Sequence, residues 1–457
     1  MKILALVITL ITFPVFAQDS ILSLDEVLGM VKRYHPAVRQ AELKVSMAQA
    51  QLLEARGGFD PKISADAYTK RFDGKEYYTL AGGAFTVPTW FGVEVKAGFE
   101  QNDGAYLNPQ NISPADGLAS VGIKVPLGQG LWINRRMADL KMARTALGLS
   151  RAERTLAAVE VVHGAMAAYF DWKRQYDEAK LYERYLTNAQ SRLEGITRMI
   201  RAGDRPSIDS VEVGVTVRLR MLNLEDARLK LAKAKLELSN FLWADGNIPL
   251  ELTDGMVPEG AITGVTDLDL AHPDSLAIPA HPKIRALENK VEILDIERRF
   301  KANLLLPRID LSYSWISEAW DFNGDFREDY RAGINLSFPL FLRRERGGLR
   351  LARLKLADAR FELEMQKLVL QNKLRAGYAE VVSLDRQLEM TRRIAEDQLY
   401  LLQQEERLFE MGESSVFLIN SREAAVLSAS LQEIAMANRS LLARASLYRI
   451  RAAETGN

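Results

Sequence analysis

The chain has 457 residues, and Lys+Arg and Asp+Glu both number 60, so no charge excess points to nucleic acid. Cysteine is absent, which removes thiolate metal sites, thiol catalysis and disulfides together. The only continuous apolar run is at the start, so any later passage through a membrane must be made by β-strands closed into a barrel.

Residues 1–17 read as a bacterial signal peptide. Lys2 gives a short positive region, Ile3 to Val15 an apolar stretch, and Val15-Phe16-Ala17 a small-residue cleavage site before Gln18. A membrane anchor needs ~20 apolar residues, and Pro14 interrupts this run. With no cysteine after the site, the exported chain is expected not to be anchored as a lipoprotein.

A first repeat is expected over residues 18–250. Ser23 is placed to cap a short helix, and His35-Pro36 opens a helical run that Gly57-Gly58 ends after Arg56. From 61 to 126 the period changes to two. The clearest strand is Trp90 to Gln101: Phe91, Val93, Val95, Ala97 and Phe99 face one way, Gly92, Glu94, Lys96, Gly98 and Glu100 the other. Ile63, Ala65 and Ala67 alternate with Lys62, Ser64 and Asp66; Ala119, Val121, Ile123 and Val125 alternate with Ser120, Gly122 and Lys124. Asp73-Gly74, Ala81-Gly82-Gly83 and the stretch Asn102 to Gly117 read as turns. Each strand is about ten residues long, enough to cross a bilayer when tilted. The same alternation also describes a soluble sheet with one wet face.

A long helical hairpin is predicted over 130–243, turned back at Ala202-Gly203-Asp204-Arg205-Pro206-Ser207. No proline lies between Leu127 and Arg205. At ~1.5 Å per residue the first arm would reach about 100 Å, too long for a globular domain. The second arm, Ser207 to Trp243, carries Leu224, Ala227, Leu231, Ala234 and Leu238 at coiled-coil spacings. Residues 251–280 read as an irregular connector. It is rich in proline, with Ile248, Leu250, Leu252, Leu268 and Leu270 as apolar anchors in and beside it.

The pattern then repeats over 281–457. His281-Pro282 matches His35-Pro36, and Pro307-Arg308-Ile309 matches Pro61-Lys62-Ile63, both at an offset of 246 (281 − 35; 307 − 61). The second β-segment, 307–339, alternates through Ile309, Leu311, Tyr313 and Trp315, then through Tyr330, Ala332, Ile334, Leu336 and Phe338. Pro339-Leu340 matches Pro126-Leu127 at an offset of 213 (339 − 126), so this copy is 33 residues shorter (246 − 213), about one hairpin. The surplus in the first copy falls roughly at Tyr77 to Gln101. The second helical hairpin, 340–450, turns at Met411-Gly412-Glu413-Ser414-Ser415. Two copies imply pseudo-two-fold symmetry.

This order of features, met twice, resembles the TolC-like outer-membrane efflux channels over essentially the whole mature chain. The resemblance rests on the His-Pro helix starts, the Pro-x-Ile strand starts, the Val125-Pro126-Leu127 and Phe338-Pro339-Leu340 strand exits and the two glycine turns. It implies an α+β membrane protein with two internal repeats per chain. It also implies a homotrimer with one shared transmembrane β-barrel, continued by a long α-helical coiled-coil barrel in the periplasm. The implied role is a passive exit duct in the outer membrane of a Gram-negative bacterium, serving tripartite efflux or type I secretion. The implied partners are a periplasmic adaptor (membrane fusion) protein, an inner-membrane RND, ABC or MFS transporter and outer-membrane lipid, with no nucleic acid. Typical members give two strands per repeat, so the surplus hairpin is a departure. Tyr77, Tyr78, Trp90, Phe91, Phe99, Tyr106, Trp132, Tyr313, Trp315, Trp320, Tyr330 and Phe338 cluster around the β-segments, as interfacial girdles would. The competing reading is a structural or adhesive surface protein with a helical stalk and a β head, which predicts no conductance.

No catalytic, cofactor or metal residues are assigned. His35 and His281 open matching helices, His163 lies in a long helix and His272 in the connector, and no HExxH, Walker A or GxSxG pattern occurs. Asp321 to Asp325 suggests a calcium loop but lacks the twelfth-position glutamate; a tight extracellular loop is the better reading. The functional positions are expected at the helical turns. The resemblance places two aspartates six and nine residues after the second-copy glycine, but here those positions are Leu418 and Ser421. The first copy has Asp209 and Glu212 at the same spacing from Gly203, three apart on one helix face. This pair is the candidate carboxylate ring of a periplasmic aperture, with Phe417 and Leu418 narrowing it and Arg205 available to a neighbouring carboxylate. The bland alternative is that both are solvated charges favoured at a helix start. The turns Gly203, Asp204, Gly412, Glu413 and Ser414 are the candidate adaptor contacts, with positive φ expected at both glycines.

Overall fold

The computed structural model of the chain describes residues 20–253, 255–262, 278–318, 321 and 325–452. The signal peptide, Leu268, Leu270, His272, Trp320 and residues 322–324 of the calcium-loop candidate lie outside them. The described elements begin with β1 (Ser20–Leu22), α1 (Leu24–Tyr34) and α2 (Pro36–Gly57), then β2 (Lys62–Phe72), β3 (Lys75–Pro88), β4 (Glu94–Asp103) and β5 (Leu118–Pro126). Helices α3 (Arg135–Ala202) and α4 (Ile208–Ser239) follow, then the short strands β6 (Trp243–Ala244), β7 (Ile248–Pro249) and β8 (Met256–Pro258). The second half holds α5 (Pro282–Asn303), β9 (Arg308–Glu318), β10 (Tyr330–Ser337), α6 (Arg343–Glu410) and α7 (Val416–Arg451).

The repetition is metrical. α2 and α5 have 22 residues each, and α3 and α6 have 68 each. Both His-Pro pairs start their helices in one way: Nδ1 of His35 accepts from the backbone N–H of Ala37 at 3.2 Å, and Nδ1 of His281 from that of Lys283 at 3.0 Å. The imidazole thus satisfies an orphan donor of the first turn, and proline at the next position needs none. The histidines are helix caps.

The chain divides into two compact units, residues 1–40, 157–276 and 370–457 in one, 41–156 and 277–369 in the other. The second unit is built on a six-stranded antiparallel sheet in the order β10-β9-β5-β4-β3-β2. Its register aligns one face along every row. Ile63, Phe85, Ala97, Val121, Trp315 and Tyr330 are successive cross-strand partners, as are Ile309 and Leu336, Leu311 and Ile334, Tyr313 and Ala332. That face is apolar along these rows and turns polar at the far ends of the strands, where it carries Thr69, Thr79, Gln101, Asp103 and Ser317. The opposite face carries Lys62, Asp66 and Lys70 on β2, Glu94, Lys96 and Glu100 on β4, Lys124 on β5, Asp310 on β9 and Arg331 on β10. Arg331 Nη2 meets Glu100 Oε1 at 2.5 Å although β9 and β5 lie between them. Such a reach requires the sheet to curl toward its polar face, over the small residues Gly122 and Ser314.

Three sequence expectations are corrected here. Trp90, Phe91 and Val93 precede β4 rather than belong to it. They form a tight turn in which Thr89 N–H donates to Val93 O, and Gly92 has φ +83°. Gly82 and Gly83 lie inside β3, because pairing with β2 on one side and β4 on the other runs unbroken through them. Their freedom is overridden by two ladders of hydrogen bonds. Helix α4 ends at Ser239, and Trp243 instead pairs with Pro249 in the β6–β7 hairpin.

The first unit packs the rest of α3 and α6 with α4, α7 and α1. Tyr169, Phe170 and Trp172 of α3 are fully buried. The Tyr169 hydroxyl donates to Leu22 O at 2.7 Å and accepts from Glu259 N–H at 3.1 Å, so burial pushes its pKa well up. This ties down the parallel β1–β8 pair. Ser23 caps α1 in a reciprocal box with Glu26. Among the described residues no helix is long and apolar enough to cross a membrane.

Candidate functional site

The two helical turns close in the same way. Gly203 has φ +86° and Gly412 φ +80°. Gly203 N–H donates to Ile200 O and Asp204 N–H to Met199 O; Gly412 N–H donates to Phe409 O and Glu413 N–H to Leu408 O. These are paired 5→2 and 6→1 bonds that satisfy the last carbonyls of α3 and α6, with glycine in the left-handed position. Ser415 then caps α7 by accepting from Leu418 N–H at 3.3 Å. The turn of the second hairpin is fastened further by Glu405, which accepts from Ser414 Oγ at 2.5 Å and faces Arg422 at 3.7 Å.

The aperture candidates fall into two sets. Phe417, Leu418 and Ser421 point away from the helical core, Phe417 being 67% exposed and Leu418 43%, while the neighbouring Val416 and Ile419 are buried. Asp209 and Glu212 are half-buried on the first turns of α4. Glu212 is not a free carboxylate: its Oε1 accepts from Asn420 Nδ2 on α7 at 3.3 Å. Arg205 is placed otherwise than expected. Its guanidinium lies over the Phe409 ring, 4.7 Å from the centroid, so its neighbour from the other hairpin is an aromatic face.

Behind Glu212 lies a chain of polar contacts that sequence reasoning missed. Asn420 Oδ1 accepts from Arg192 of α3 at 3.2 Å. Arg192 meets Glu423 of α7 at 2.5 Å, and Arg220 of α4 approaches the other oxygen of Glu423 at 3.8 Å. Glu406 of α6 stands 3.9 Å from Arg192. Glu423 is 1% exposed and Arg220 8%. Four helices therefore meet around one buried carboxylate held between two guanidinium groups. The signal was legible: Glu423 stands in the apolar seam Val416, Ile419, Glu423, Val426, and Arg220 in the seam Val213, Val217, Arg220, Leu224. Charge at a seam position calls for a partner across the interface.

α4 carries a second seam. Ile208, Val215, Leu222, Leu229 and Leu236 recur every seven residues and all are exposed. Ile394, Leu401 and Leu408 do the same on α6.

Among the described residues no group of His, Cys, Asp and Glu is arranged to hold a metal ion. No curated protein sequence matches the chain. Solved structures do match it in fold. A membrane protein from Pseudomonas aeruginosa superposes with a TM-score of 0.69 at 16% identity, covering 94% of this chain and 92% of that one. The Campylobacter jejuni CmeC outer membrane channel gives 0.66 at 12% identity over 94% and 85%. The outer membrane protein VceC of Vibrio cholerae gives 0.65 at 13% identity over 94% and 96%. The family model described as "Outer membrane efflux protein" matches residues 27–242 and 275–453, which are the two repeats with their paired turns. The chain belongs to the outer membrane efflux protein family.

Proposed function

We propose that three copies of this chain form a passive exit duct through the outer membrane of a Gram-negative cell. The single observation that carries this is the two-faced sheet. One face carries an apolar band across six strands, ending before their far tips, and the other carries the charged residues and is turned to the inside of the curl. Lipid outside and water inside is the setting that such a sheet suits. Six strands leave no lumen on their own, since about eight already fill their interior with side chains; copies must combine. The exposed seven-residue seams on α4 and α6 support the same reading, because they offer each copy two further faces for helix packing. The aromatic rows fit it too. Phe91, Trp132 and Phe341 are exposed near the helix-side ends of the strands, and Phe72, Tyr106 and Tyr330 at the far ends.

In this reading, residues 18–250 and 281–457 act as the two repeats, joined by the 251–280 connector. The cargo, small molecules or proteins, is supplied by an inner-membrane RND, ABC or MFS transporter through a periplasmic adaptor. The adaptor docks on the turns Gly203-Asp204 and Gly412-Glu413-Ser414, where exposed backbone of matching geometry recurs in both repeats. Asp209 and Glu212 supply the carboxylates of the closed aperture, and Phe417 and Leu418 its bulk. A carboxylate ring favours cations.

Purified protein should run as a trimer in detergent and give discrete conductance steps in a planar bilayer. A monomeric, electrically silent protein would remove the proposal. Replacing Asp209 and Glu212 together by alanine should raise closed-state leak and reduce cation preference; unchanged currents would reassign the aperture and leave the duct standing.

A further inference from the structure

The surplus hairpin of the first repeat, β3 and β4, lies in the middle of the sheet between β2 and β5. From this we infer that the outer-membrane barrel has 18 strands, three copies of six, with β10 of one copy paired to β2 of the next. The inference rests on the trimeric reading above and goes beyond it. Two strands per repeat, the typical arrangement, would close a barrel of about twelve.

Four features place the hairpin in the wall. First, its strands keep the two-faced rule: Phe85 and Ala97 continue the apolar row from Ile63 to Val121, and Glu94, Lys96 and Glu100 continue the polar face. A hairpin standing in water above the membrane has no need of an apolar face aligned with its neighbours. Second, its turn is fastened at the start of α3, where the strands exit. Asn134 Nδ2 donates to Trp90 O at 2.9 Å while its Oδ1 caps α3 at Met137 N–H, and Arg136 pairs with Glu94 at 2.8 Å. Third, among the described residues each outer strand pairs on one side only and is exposed along its length. β10 has no proline or bulge, and the one irregularity of β2, at Lys70/Arg71, lies at its far end; Lys62, Asp66 and Lys70 of β2 and Arg331 of β10 lie on the polar face. Fourth, the strand count is even. β2 leaves the helices and β10 returns to them, so β10 of one copy meets β2 of the next antiparallel, with apolar and polar faces both continuous. The occupant of each edge is therefore the opposite edge of a second copy.

Barrel diameter grows roughly linearly with strand number, so this wall would be about half as wide again as one of twelve strands. The added width is lined without charge bias, since β4 brings Glu94, Lys96 and Glu100 and pairs two of them, Glu94 with Arg136 and Glu100 with Arg331. The membrane section would then admit bulky solutes, leaving selection to the helical turns.

The chain contains no cysteine, so introduced pairs report without background. Ala65→Cys or Ala67→Cys on β2 is combined with Ala332→Cys or Ile334→Cys on β10, four pairs that sample three antiparallel registers. Separately, Ala81→Cys on β3 and Ala97→Cys on β4 carry an environment-sensitive fluorophore in vesicles of brominated lipid. The expected result is a covalent trimer from at least one pair after oxidation, with loss of emission to brominated lipid at both labels. A covalent trimer with unquenched labels would put the hairpin outside the wall, overturning the 18-strand barrel while the duct stands. No covalent trimer from any pair, in protein that still conducts, would overturn it as well. Loss of both trimer and conductance in the unmodified protein would end the duct reading itself.

Discussion

Glu423 is the residue on which the first unit is most finely poised. It is buried between Arg192 and Arg220 in the seam of α7, where an apolar residue would otherwise sit. Neutralising it leaves two guanidinium groups facing each other out of water. Glu423→Gln should therefore cost about 3–5 kcal/mol, the range for breaking one side of a buried pair. Replacing Glu423 and Arg220 together by leucine should recover part of that loss. Denaturant unfolding of the variants checks both. The histidines give a second residue-scale expectation. Burial, then the charge of Arg449, holds the pKa of His163 below its ordinary 6.5, and burial lowers that of His35. Below about pH 6.5 the unfolded chain then binds more protons than the folded one, so stability falls as pH drops through that value. His163→Gln should flatten the decline in melting temperature between pH 7.5 and 5.5; an unchanged slope would assign it to other groups.

Elements differ in what a single methyl group would do to them. At Gly203 and Gly412 a Cβ would meet nothing within 4 Å, so only the positive φ opposes it. Alanine there should cost about 1–2 kcal/mol each, the strain of a left-handed residue. At Gly128, just after β5, a Cβ would stand 1.9 Å from the carbonyl oxygen of Pro307, where the first repeat's strand exit crosses the second repeat's strand entry. Leu127 and Gln129 N–H donate to Ile309 O and Pro307 O across that crossing. Gly128→Ala must displace backbone, and should lower the melting temperature more than Gly203→Ala does. Equal effects would mean that the crossing is slack.

For the whole molecule, the exposed seam of α4 lets folding be tested apart from the proposed trimeric assembly. Leu222 and Leu229 face away from the buried seam of Leu224, Ala227, Ala234 and Leu238. If three copies pack through this seam as proposed, Leu222→Glu with Leu229→Glu should leave helical content unchanged by circular dichroism, yet shift detergent-solubilised protein from trimer to monomer and abolish conductance. A trimer that survives both charges would place the helix contacts between copies elsewhere.

The periodicities of 3.6 and 2, the proline and glycine punctuation and the doubled His-Pro, Pro-x-Ile and Pro-Leu marks were sufficient to read two repeats of helix, strands and long hairpin. Local chemistry decides those features, so they are legible one residue after another. Gly82-Gly83 misled because a glycine pair signals a turn locally, and only pairing with two neighbouring strands holds it extended. Trp243 misled because its pairing with Pro249 lies across a turn that no helical period encodes. Partnership across the fold was decided by tertiary structure alone. It set Arg205 against Phe409, Glu212 against Asn420 and Glu423 between two arginines, and it put the surplus hairpin within the sheet. A sequence displays which face of an element is apolar, but which face of which other element covers it depends on distances that only the folded chain fixes.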